Sequence, residues 1–268
     1  MTDSRRPVAI VTGASGGIGA ATARRLSQDG FAIIAHFITR MEMAQALSDS
    51  IVEAGGDCWL IQADLTTVEG VDDLVAQVDQ ILAAHRHQEL QGLVNNAARM
   101  LGPAFGSATA NEYDAYFALN TRAPFLLTQA LSKRMRPGSG IVNISSAAAH
   151  FASPGDIVYA MTKAAVESLT VNAAPALAGR GIRINSVVPG FTDNGHAAFQ
   201  DPEVREHMSG FSALGGVAAP ETVAEAISFL LSDRASRTTG TILDVSGGST
   251  IGARPYASRR SLRDRASQ

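Results

Sequence analysis

The chain has 268 residues, of which 46% are hydrophobic and 18% charged, and its formal net charge at pH 7 is −3. This composition is ordinary for a globular protein, and the slightly negative charge excludes an electrostatic case for nucleic acid binding. The length suits one large α/β domain or two small ones, and length alone does not choose between them.

The single cysteine, Cys58, rules out an internal disulfide and cannot by itself supply a metal site, which fits a reducing compartment. We expect its side chain to behave as a small buried apolar group. Residues 1–7 lead into only a short apolar run, so we predict neither a signal peptide nor a membrane span. The sequence therefore predicts a cytoplasmic protein.

Seven short runs rich in β-branched residues predict buried strands, at residues 8–12, 32–37, 59–63, 92–95, 141–145, 182–188 and 241–245. Helical periodicity fills the stretches between them, including residues 18–28, 41–54, 68–84, 112–135 and 158–178. Because strands and helices alternate, we predict one doubly wound α/β domain over residues 1–252, with a parallel seven-stranded sheet covered by helices on both faces.

Two segments stand outside this alternation. Residues 191–217 show no strand pattern and predict a lid, which with residues 100–105, His150 and Phe151 would form an apolar substrate wall. The alternative is that these scattered aromatic residues belong to an ordinary core. The arginine-rich residues 253–268 predict a flexible tail, with a subunit contact as the alternative.

The first predicted strand runs directly into residues 12–19, TGASGGIG, and a helical stretch follows. In that position glycines let the backbone turn tightly, approach a pyrophosphate and pack a helix against a strand, while the helix N-terminus offers unpaired N–H groups to an anion. The alternative is a tight turn that binds no ligand. The Gly-x-x-x-Gly-x-Gly spacing is one residue wider than the common dinucleotide fingerprint, so other motifs must decide.

Further motifs resemble those of the short-chain dehydrogenase/reductase family. Residues 12–19 are similar to its TGxxxGxG motif. The other matches are Asn95-Asn96-Ala97-Ala98 for NNAG, the helical Asn120, Tyr159-x-x-x-Lys163 for YxxxK, Ser146 thirteen residues before Tyr159, and the Pro189-Gly190 turn. The resemblance covers residues 7–252 and implies a Rossmann-type fold. The general pattern is similar to 3-oxoacyl carrier-protein reductases and to sugar or steroid dehydrogenases of the family.

The resemblance implies a catalytic set of Asn120, Ser146, Tyr159 and Lys163. Tyr159 and Lys163 are four residues apart in a helical stretch, so their side chains share a face, and a nearby ammonium would lower the pKa of the phenol. By resemblance, Tyr159 exchanges a proton with the substrate oxygen, and Lys163 also holds the nicotinamide ribose. Ser146 stabilises charge on that oxygen, whereas strand alternation turns the adjacent Ser145 to the other face.

Pro124 follows Asn120 by four residues in the same predicted helix. Since proline has no N–H, the hydrogen bond to the Asn120 carbonyl is missing, and we expect a kink there. By resemblance, the free carbonyl binds a water that links Lys163 to solvent. The alternative is a kink demanded only by packing.

Coenzyme choice depends on the end of the second strand, where an acidic residue would bind the ribose hydroxyls and repel a 2′-phosphate. Residues 36–40 are HFITR and contain no carboxylate. Arg40, together with Thr39 and His36, is a candidate phosphate ligand, while the alternative makes Arg40 a solvated residue at the start of the next helix. The glycine-rich loop has no basic residue. We expect NADP(H), with NAD(H) as the alternative.

The resemblance also implies which residues contact the coenzyme. Both Thr192 and Asn194 are candidates for the nicotinamide carboxamide, and Ala98 adds a methyl group near the nicotinamide. Asp64 either contacts the adenine or simply ends its strand. The full expected set is Gly13, Ser15, Gly17, Ile18, Gly19, Phe37, Arg40, Asp64, Leu65, Asn96, Tyr159, Lys163, Pro189, Gly190 and Thr192.

Together these features predict an NAD(P)(H)-dependent oxidoreductase that interconverts a carbonyl and a secondary alcohol, and within that class an NADPH-dependent ketone or 3-oxoacyl reductase. The alternatives are a sugar, steroid or alcohol dehydrogenase of the same family and a catalytically silent nucleotide-binding regulatory member. We predict no metal site, because the histidines and Cys58 form no ligand pattern, and no nucleic acid or membrane partner. By resemblance, the helices at residues 112–135 and 158–178 join subunits of a homotetramer or homodimer.

Overall fold

Seven strands form one sheet in the computed structural model, which describes residues 6–85, 88–195 and 197–252. Every pair is parallel, and the order is β3-β2-β1-β4-β5-β6-β7. The strands are β1 (Arg6–Val11), β2 (Ala32–Phe37), β3 (Cys58–Gln62), β4 (Gln88–Asn95), β5 (Gly140–Ile144), β6 (Arg183–Pro189) and β7 (Ile242–Val245). The predicted doubly wound α/β fold is confirmed, while the predicted tail at residues 253–268 lies outside the described residues.

Helices connect the strands and cover both faces of the sheet. They are α1 (Gly17–Gln28), α2 (Met41–Glu53), α3 (Val68–Ala84), α4 (Ala110–Phe117), α5 (Ala123–Ser132), α6 (Ile157–Ala178), α7 (Pro202–Ser209) and α8 (Pro220–Leu231). The period-two pattern of β1 explains the two-sided burial: Val8 and Ile10 enter one core cluster, and Ala9 and Val11 enter the other. The first cluster includes residues of α3, α5 and α6, and the second includes residues of α1, α2 and α8.

The structure corrects two expectations about local elements and adds one detail to the predicted lid. The helix predicted over residues 112–135 is divided, because a π-helical turn, Ala118–Arg122, separates α4 from α5. The predicted lid contains the helix α7, which starts where the Asp201 carboxylate accepts a hydrogen bond from the Glu203 N–H at 2.9 Å. Cys58 is only half-buried, although burial is still the main reason that the pKa of its thiol is raised.

The strand order reverses between β1 and β4, since the chain builds outward from β1 to β3 and then returns to the other side of β1. In open parallel sheets, ligands bind at such a reversal, beyond the carboxyl ends of the strands. The glycine-rich loop follows β1, the Asn95 motif ends β4, Ser146 follows β5, and Pro189 ends β6. The topology therefore collects at one edge of the sheet motifs that are far apart in the sequence.

Candidate active site

Ser146 and Tyr159 meet from two different elements. Ser146 lies two residues beyond β5, and its hydroxyl accepts a hydrogen bond from the Ala148 N–H at 3.2 Å. Tyr159 lies in the first turn of α6, and the Ser146 side chain lies close enough to its phenol to lower the pKa of that phenol. The structure therefore brings two of the predicted catalytic residues together.

Lys163 lies one helical turn after Tyr159 on the same side of α6. Its ammonium nitrogen, Nζ, is 5.6 Å from the centre of the Tyr159 ring and donates a hydrogen bond to the Ile144 carbonyl at 2.7 Å. The residue is only 3% exposed, and burial lowers the pKa of its amine to about 8. Lys163 is therefore mainly cationic at neutral pH but close to its titration point.

The pKa of the Tyr159 phenol is shifted in the direction opposite to the one expected from the sequence. Burial raises its pKa, the charges of Asp156 and Tyr116 act in the same direction, and the hydrogen bond with Ser146 opposes them. The expectation that Lys163 lowers this pKa is therefore wrong for the chain alone. The reason is that loss of solvation is the largest influence on the phenol, and Lys163 is not among the groups that shift its pKa. Tyr159 keeps its proton at neutral pH.

Ser145, next to Ser146 in the sequence, contacts a different set of residues. Its hydroxyl donates to a Glu167 carboxylate oxygen at 2.5 Å and lies 3.3 Å from the Lys163 carbonyl. The same Glu167 oxygen is 2.9 Å from Nε2 of His150. Ser145 thus fastens the end of β5 to α6, while Ser146 is the serine that meets Tyr159.

Asn120 lies inside the π-helical turn, just before the start of α5 that contains Pro124. Its side chain is 1% exposed and fully engaged: Oδ1 accepts from the Arg99 N–H at 2.8 Å, and Nδ2 donates to the Arg99 carbonyl and to the Thr162 hydroxyl at 3.0 and 3.1 Å. The backbone irregularity expected from Pro124 is present as this turn. Thr162, beside Lys163, is a partner that the sequence analysis missed, although its position in the YxxxK motif could have indicated it.

Three positions of the glycine-rich loop require glycine, one because of steric exclusion and two because of their backbone angles. A Cβ atom on Gly19 would lie 2.3 Å from the Gly13 carbonyl oxygen and 2.6 Å from the Asn96 amide nitrogen. Gly13 and Gly17 have φ angles of +66° and +52°, a region that other residues rarely adopt. The residue before α1, Gly16, offers no side chain to cap the helix, so the first N–H groups of α1 are suited to bind a phosphate.

Thr12 and Asn96 hold this loop to the end of β4. The Thr12 hydroxyl accepts hydrogen bonds from the N–H groups of Asn96 and Ala97 at 2.9 and 3.0 Å. The Asn96 amide donates to the carbonyls of Thr12 and Gly13 at 2.8 and 3.1 Å. Asn96 therefore acts on the loop itself, and Thr12 is a second residue whose role the sequence analysis did not identify.

Arg40 lies beside the glycine-rich loop, where it was expected. Its guanidinium nitrogen Nη1 is 3.6 Å from the position that a Cβ of Gly16 would occupy, and the side chain is exposed. His36 does not accompany it, because it is 2% exposed and both ring nitrogens have protein partners, the Gly13 N–H at 3.2 Å and the Ala63 carbonyl at 3.0 Å. The suggestion that His36 helps to bind a phosphate is therefore wrong.

The remaining expected contacts differ in how accessible they are. The Asp64 carboxylate accepts hydrogen bonds from the N–H and hydroxyl of Thr66 at 2.9 and 2.7 Å, so it shapes the turn after β3. Phe37 and Leu65 are each 2% exposed, and Leu65 belongs to the hydrophobic core. Ser15 and Ile18 are half-buried at the start of α1.

After β6 the chain turns closely against the end of β7. A Cβ on Gly190 would lie 2.8 Å from the Ser246 carbonyl oxygen, so the position after Pro189 has no room for a side chain. The Thr192 hydroxyl donates back to the Gly190 carbonyl at 3.1 Å. Asn194 reaches the glycine-rich loop instead, with its Cβ 3.1 Å from the position a Cβ of Gly17 would take.

An aromatic cluster joins the expected lid to the loop after β5. The ring of Phe211 lies 6.0 Å from that of Phe151, 5.4 Å from that of Phe191 and 5.3 Å from that of His207, measured between ring centres. Phe211 is nevertheless 38% exposed. These rings form an apolar wall where α7 meets the carboxyl edge of the sheet.

Next to Tyr159, the loop after β4 exposes large apolar side chains. Leu101 is 74% exposed and Phe105 is 80% exposed, and a Cβ on Gly102 would lie 3.4 Å from the Cβ of Tyr159. Leu101 has a φ angle of +58°, which is unfavourable for a leucine. The hydroxyl of Tyr116 lies 2.8 Å from the Leu101 carbonyl oxygen and supports this conformation.

The part of the chain that the structure describes contains no candidate metal-ligand group and no candidate membrane-spanning helix. No group of three or more histidine, cysteine or acidic side chains there is arranged to hold a metal ion. Among the helices described, none is both long and apolar enough to cross a bilayer.

Comparison with known proteins agrees with this geometry. A family model described as "Enoyl-(Acyl carrier protein) reductase" matches residues 13–250. The chain is 35% identical to the uncharacterized oxidoreductase YgfF of Escherichia coli (strain K12), over 90% of this chain and 99% of that protein. It is 34% identical to a 3-oxoacyl-[acyl-carrier-protein] reductase of Synechocystis, over 92% and 98% of the two chains.

A solved structure of the angucycline C-6 ketoreductase LanV with bound NADP is similar over 92% of this chain and 96% of that one, with a TM-score of 0.88 and 38% identity. The chain belongs to the short-chain dehydrogenase/reductase family. It is accordingly an NAD(P)-dependent oxidoreductase, and the glycine-rich loop that excludes side chains fits the nucleotide coenzyme of this family.

Proposed function

We propose that this short-chain reductase uses NADPH to reduce a bulky apolar ketone to a secondary alcohol, with Tyr159 as the proton donor. The observation that carries the proposal is the placement of Tyr159 beside both Ser146 and Lys163. When bound, a reduced nicotinamide supplies the hydride. The residues of the chain supply the proton, the orientation and the exclusion of water.

The protonation states favour the reducing direction. Because burial raises its pKa, Tyr159 holds a proton at its hydroxyl oxygen at neutral pH and can give it to a carbonyl oxygen that gains negative charge. Ser146 would donate a hydrogen bond to the same substrate oxygen. Lys163, with a pKa of about 8, would replenish the proton and hold the ribose, and Asn120 would position the loop after β4 against α6.

The preference for NADPH rests on Arg40. The exposed guanidinium of Arg40 lies beside the glycine-rich loop, and no carboxylate occupies the end of β2 to repel a 2′-phosphate. LanV, which shares 38% of its residues with this chain, is described with NADP bound. The residues proposed to hold the coenzyme are Gly13, Ser15, Gly17, Ile18, Gly19, Phe37, Arg40, Asp64, Leu65, Asn96, Tyr159, Lys163, Pro189, Gly190 and Thr192.

The substrate class follows from two groups of apolar side chains at the carboxyl edge of the sheet. Leu101 and Phe105 expose apolar surface in the loop after β4, and the cluster around Phe211 forms the second group. Such walls suit a ketone with large apolar substituents, and residues 191–217 would close over it as a lid. A 3-oxoacyl thioester is the second candidate, since a relative of that name is 34% identical over nearly its whole length.

We also propose that the protein acts in the cytoplasm as a homotetramer or homodimer. A groove of about 670 Å³ runs between α4, α5 and α6. Phe125, which lines it, and Val171 are 48% and 49% exposed on these helices. Light scattering coupled to gel filtration tests this part, and a monomer at micromolar concentration would contradict it.

A spectrophotometric screen tests the reaction. Purified protein is mixed with NADPH or NADH and with panels of polycyclic ketones, small ketones, 3-oxoacyl thioesters and sugars, and oxidation of the coenzyme is followed. We expect turnover of the bulky ketones with NADPH, and turnover confined to the thioesters would favour the second candidate. Protein that binds NADPH but reduces no carbonyl would refute the proposal in favour of a silent regulatory member.

Substitution of the proposed proton donor tests its role, and the same substitution at another tyrosine is the matched control. Tyr159→Phe removes only the hydroxyl and should lower kcat by about 10²–10⁴-fold while NADPH still binds. Tyr113→Phe makes the same change in α4 on a tyrosine that stacks on Phe117, and its activity should match the wild type. Equal activity of all three proteins would exclude Tyr159 as the donor.

A further inference from the structure

His36 is a buried titratable side chain that the proposed reaction does not use. It lies near the end of β2, directly below the glycine-rich loop, and is 2% exposed. Nδ1 lies 3.2 Å from the Gly13 backbone nitrogen, and Nε2 lies 3.0 Å from the Ala63 carbonyl oxygen. An N–H group can only donate and a carbonyl can only accept, so Nδ1 is unprotonated and Nε2 carries the hydrogen. The imidazole is therefore neutral in this arrangement.

These contacts determine the conformation of the first turn of the loop. Gly13 has a φ angle of +66°, which turns its N–H inward to Nδ1 of His36. The next N–H, that of Ala14, donates to the backbone carbonyl of His36 at 2.8 Å. On the opposite side, the Asn96 amide binds the Gly13 carbonyl at 3.1 Å. The loop is thus held from both sides, and His36 supplies the contact that can titrate.

We propose that neutral His36 is a positioning residue for coenzyme binding, and that its protonation releases the glycine-rich loop and weakens the binding of the dinucleotide. Protonation at Nδ1 would place an N–H against the N–H of Gly13, so an attractive contact would become a repulsive one. The proposal goes beyond the proposed ketone reduction, because it concerns only the affinity for the coenzyme.

The electrostatic surroundings are consistent with a neutral imidazole. Burial lowers the pKa of His36, while the hydrogen bond with Ala63 and the charge of Asp64 act in the opposite direction to a smaller extent. Among the described residues, Asp64, two residues after β3, is the charged group that acts on it, and the glycine-rich loop contributes only backbone at Gly13 and Ala14. Full affinity is therefore expected above pH 6.5, and it should fall as the pH passes downward through the lowered pKa of His36.

The test measures the Kd of NADH by fluorescence from about pH 8 to about pH 5. NADH is used because the 2′-phosphate of NADPH titrates near pH 6 itself. In the wild type the Kd should be constant above neutral pH and rise toward the acid end, by less than the roughly 30-fold that an unshifted pKa of 6.5 would give at pH 5. His36→Asn, which retains an acceptor but does not titrate, should bind NADH within about threefold of the wild type at pH 8 and show no such rise.

Further variants separate positioning from general stability. His36→Phe lacks the acceptor and should raise the Kd about tenfold at every pH, with kcat at saturating coenzyme nearly unchanged. His85→Asn, on the exposed end of α3, should keep the acid-induced rise of the wild type. If His36→Phe does not fold, the pH dependence of the Kd in the wild type and in His36→Asn still tests the proposal.

Two results would overturn the proposal: equal pH dependence in wild type and His36→Asn, or unchanged affinity in a folded His36→Phe. The readout also distinguishes this proposal from the proposed function. A protein whose affinity for NADH depends on pH through His36 but which reduces no ketone refutes only the latter. A ketone reductase whose affinity for NADH is independent of pH refutes only the role of His36.

Discussion

Replacing Lys163 by methionine should remove an electrostatic penalty on folding that is present at neutral pH, although it also removes a residue proposed to be catalytic. The amine is 3% exposed, and burial lowers its pKa from 10.5 to about 8. A lysine whose folded pKa lies below its unfolded pKa opposes folding while it is charged. That penalty is fully present below pH 8 and disappears as the pH rises toward 10.5.

The size of the effect follows from this difference in pKa. Each unit of pKa is about 1.4 kcal/mol, so the charged form costs the fold about 3 kcal/mol at pH 7. Methionine avoids this cost but leaves the Ile144 carbonyl without its donor at 2.7 Å, a loss of about 1–3 kcal/mol. Because a neutral amine also donates, the second term does not depend on pH. The stability of the wild type relative to Lys163→Met should therefore rise by about 2–3 kcal/mol from pH 7 to pH 10.

Urea denaturation of both proteins at several pH values between these limits measures that rise. Lys133→Met, on an exposed lysine at the end of α5, is the control and should show no such trend. A difference between wild type and Lys163→Met that stays constant across the pH range would refute the reasoning. It would mean that the buried amine is no harder to charge than one in water.

Three further outcomes are expected. Arg40→Ser should raise the Kd of NADPH about 10- to 100-fold and leave that of NADH unchanged, as measured by fluorescence titration. An equal loss of affinity for both coenzymes would show that Arg40 does not bind the 2′-phosphate. Gly19→Ala places a methyl group 2.3 Å from the Gly13 carbonyl and should abolish measurable coenzyme binding while circular dichroism still reports a folded chain; retained affinity would show that the loop can move. Asn120→Ala leaves the N–H and carbonyl of Arg99 without partners, so urea unfolding should register a loss of about 1–3 kcal/mol, and an unchanged midpoint would contradict the assigned contacts.

The alternation of short apolar strands with helical periodicity was sufficient to predict the doubly wound sheet, because strands buried on both faces have a composition that helices do not share. The sequence was also sufficient to predict that residues four apart in a helix share a face. The common face of Tyr159 and Lys163 follows from helix geometry alone. Pro124 likewise indicated an irregular helix near Asn120, since the missing N–H is a property of the residue itself.

Contacts between distant segments could not be predicted in this way. The sequence allowed His36 to face a phosphate, and only the packing of β2 against the glycine-rich loop and the end of β3 shows that both its ring nitrogens are engaged by Gly13 and Ala63. Thr12 and Thr162 became recognisable as partners of Asn96 and Asn120 only when four chain segments came together in the folded chain.

What the sequence by itself determined is the order of elements, the motif residues and the family that they indicate. Only the tertiary structure decided the direction of the Tyr159 pKa, the neutral state of His36 and the position of Arg40 beside Gly16. The physical reason is that burial and hydrogen bonding depend on every segment packed around a group. Local sequence determines which groups exist and which way a helix or strand turns them, but not how much solvent each one loses.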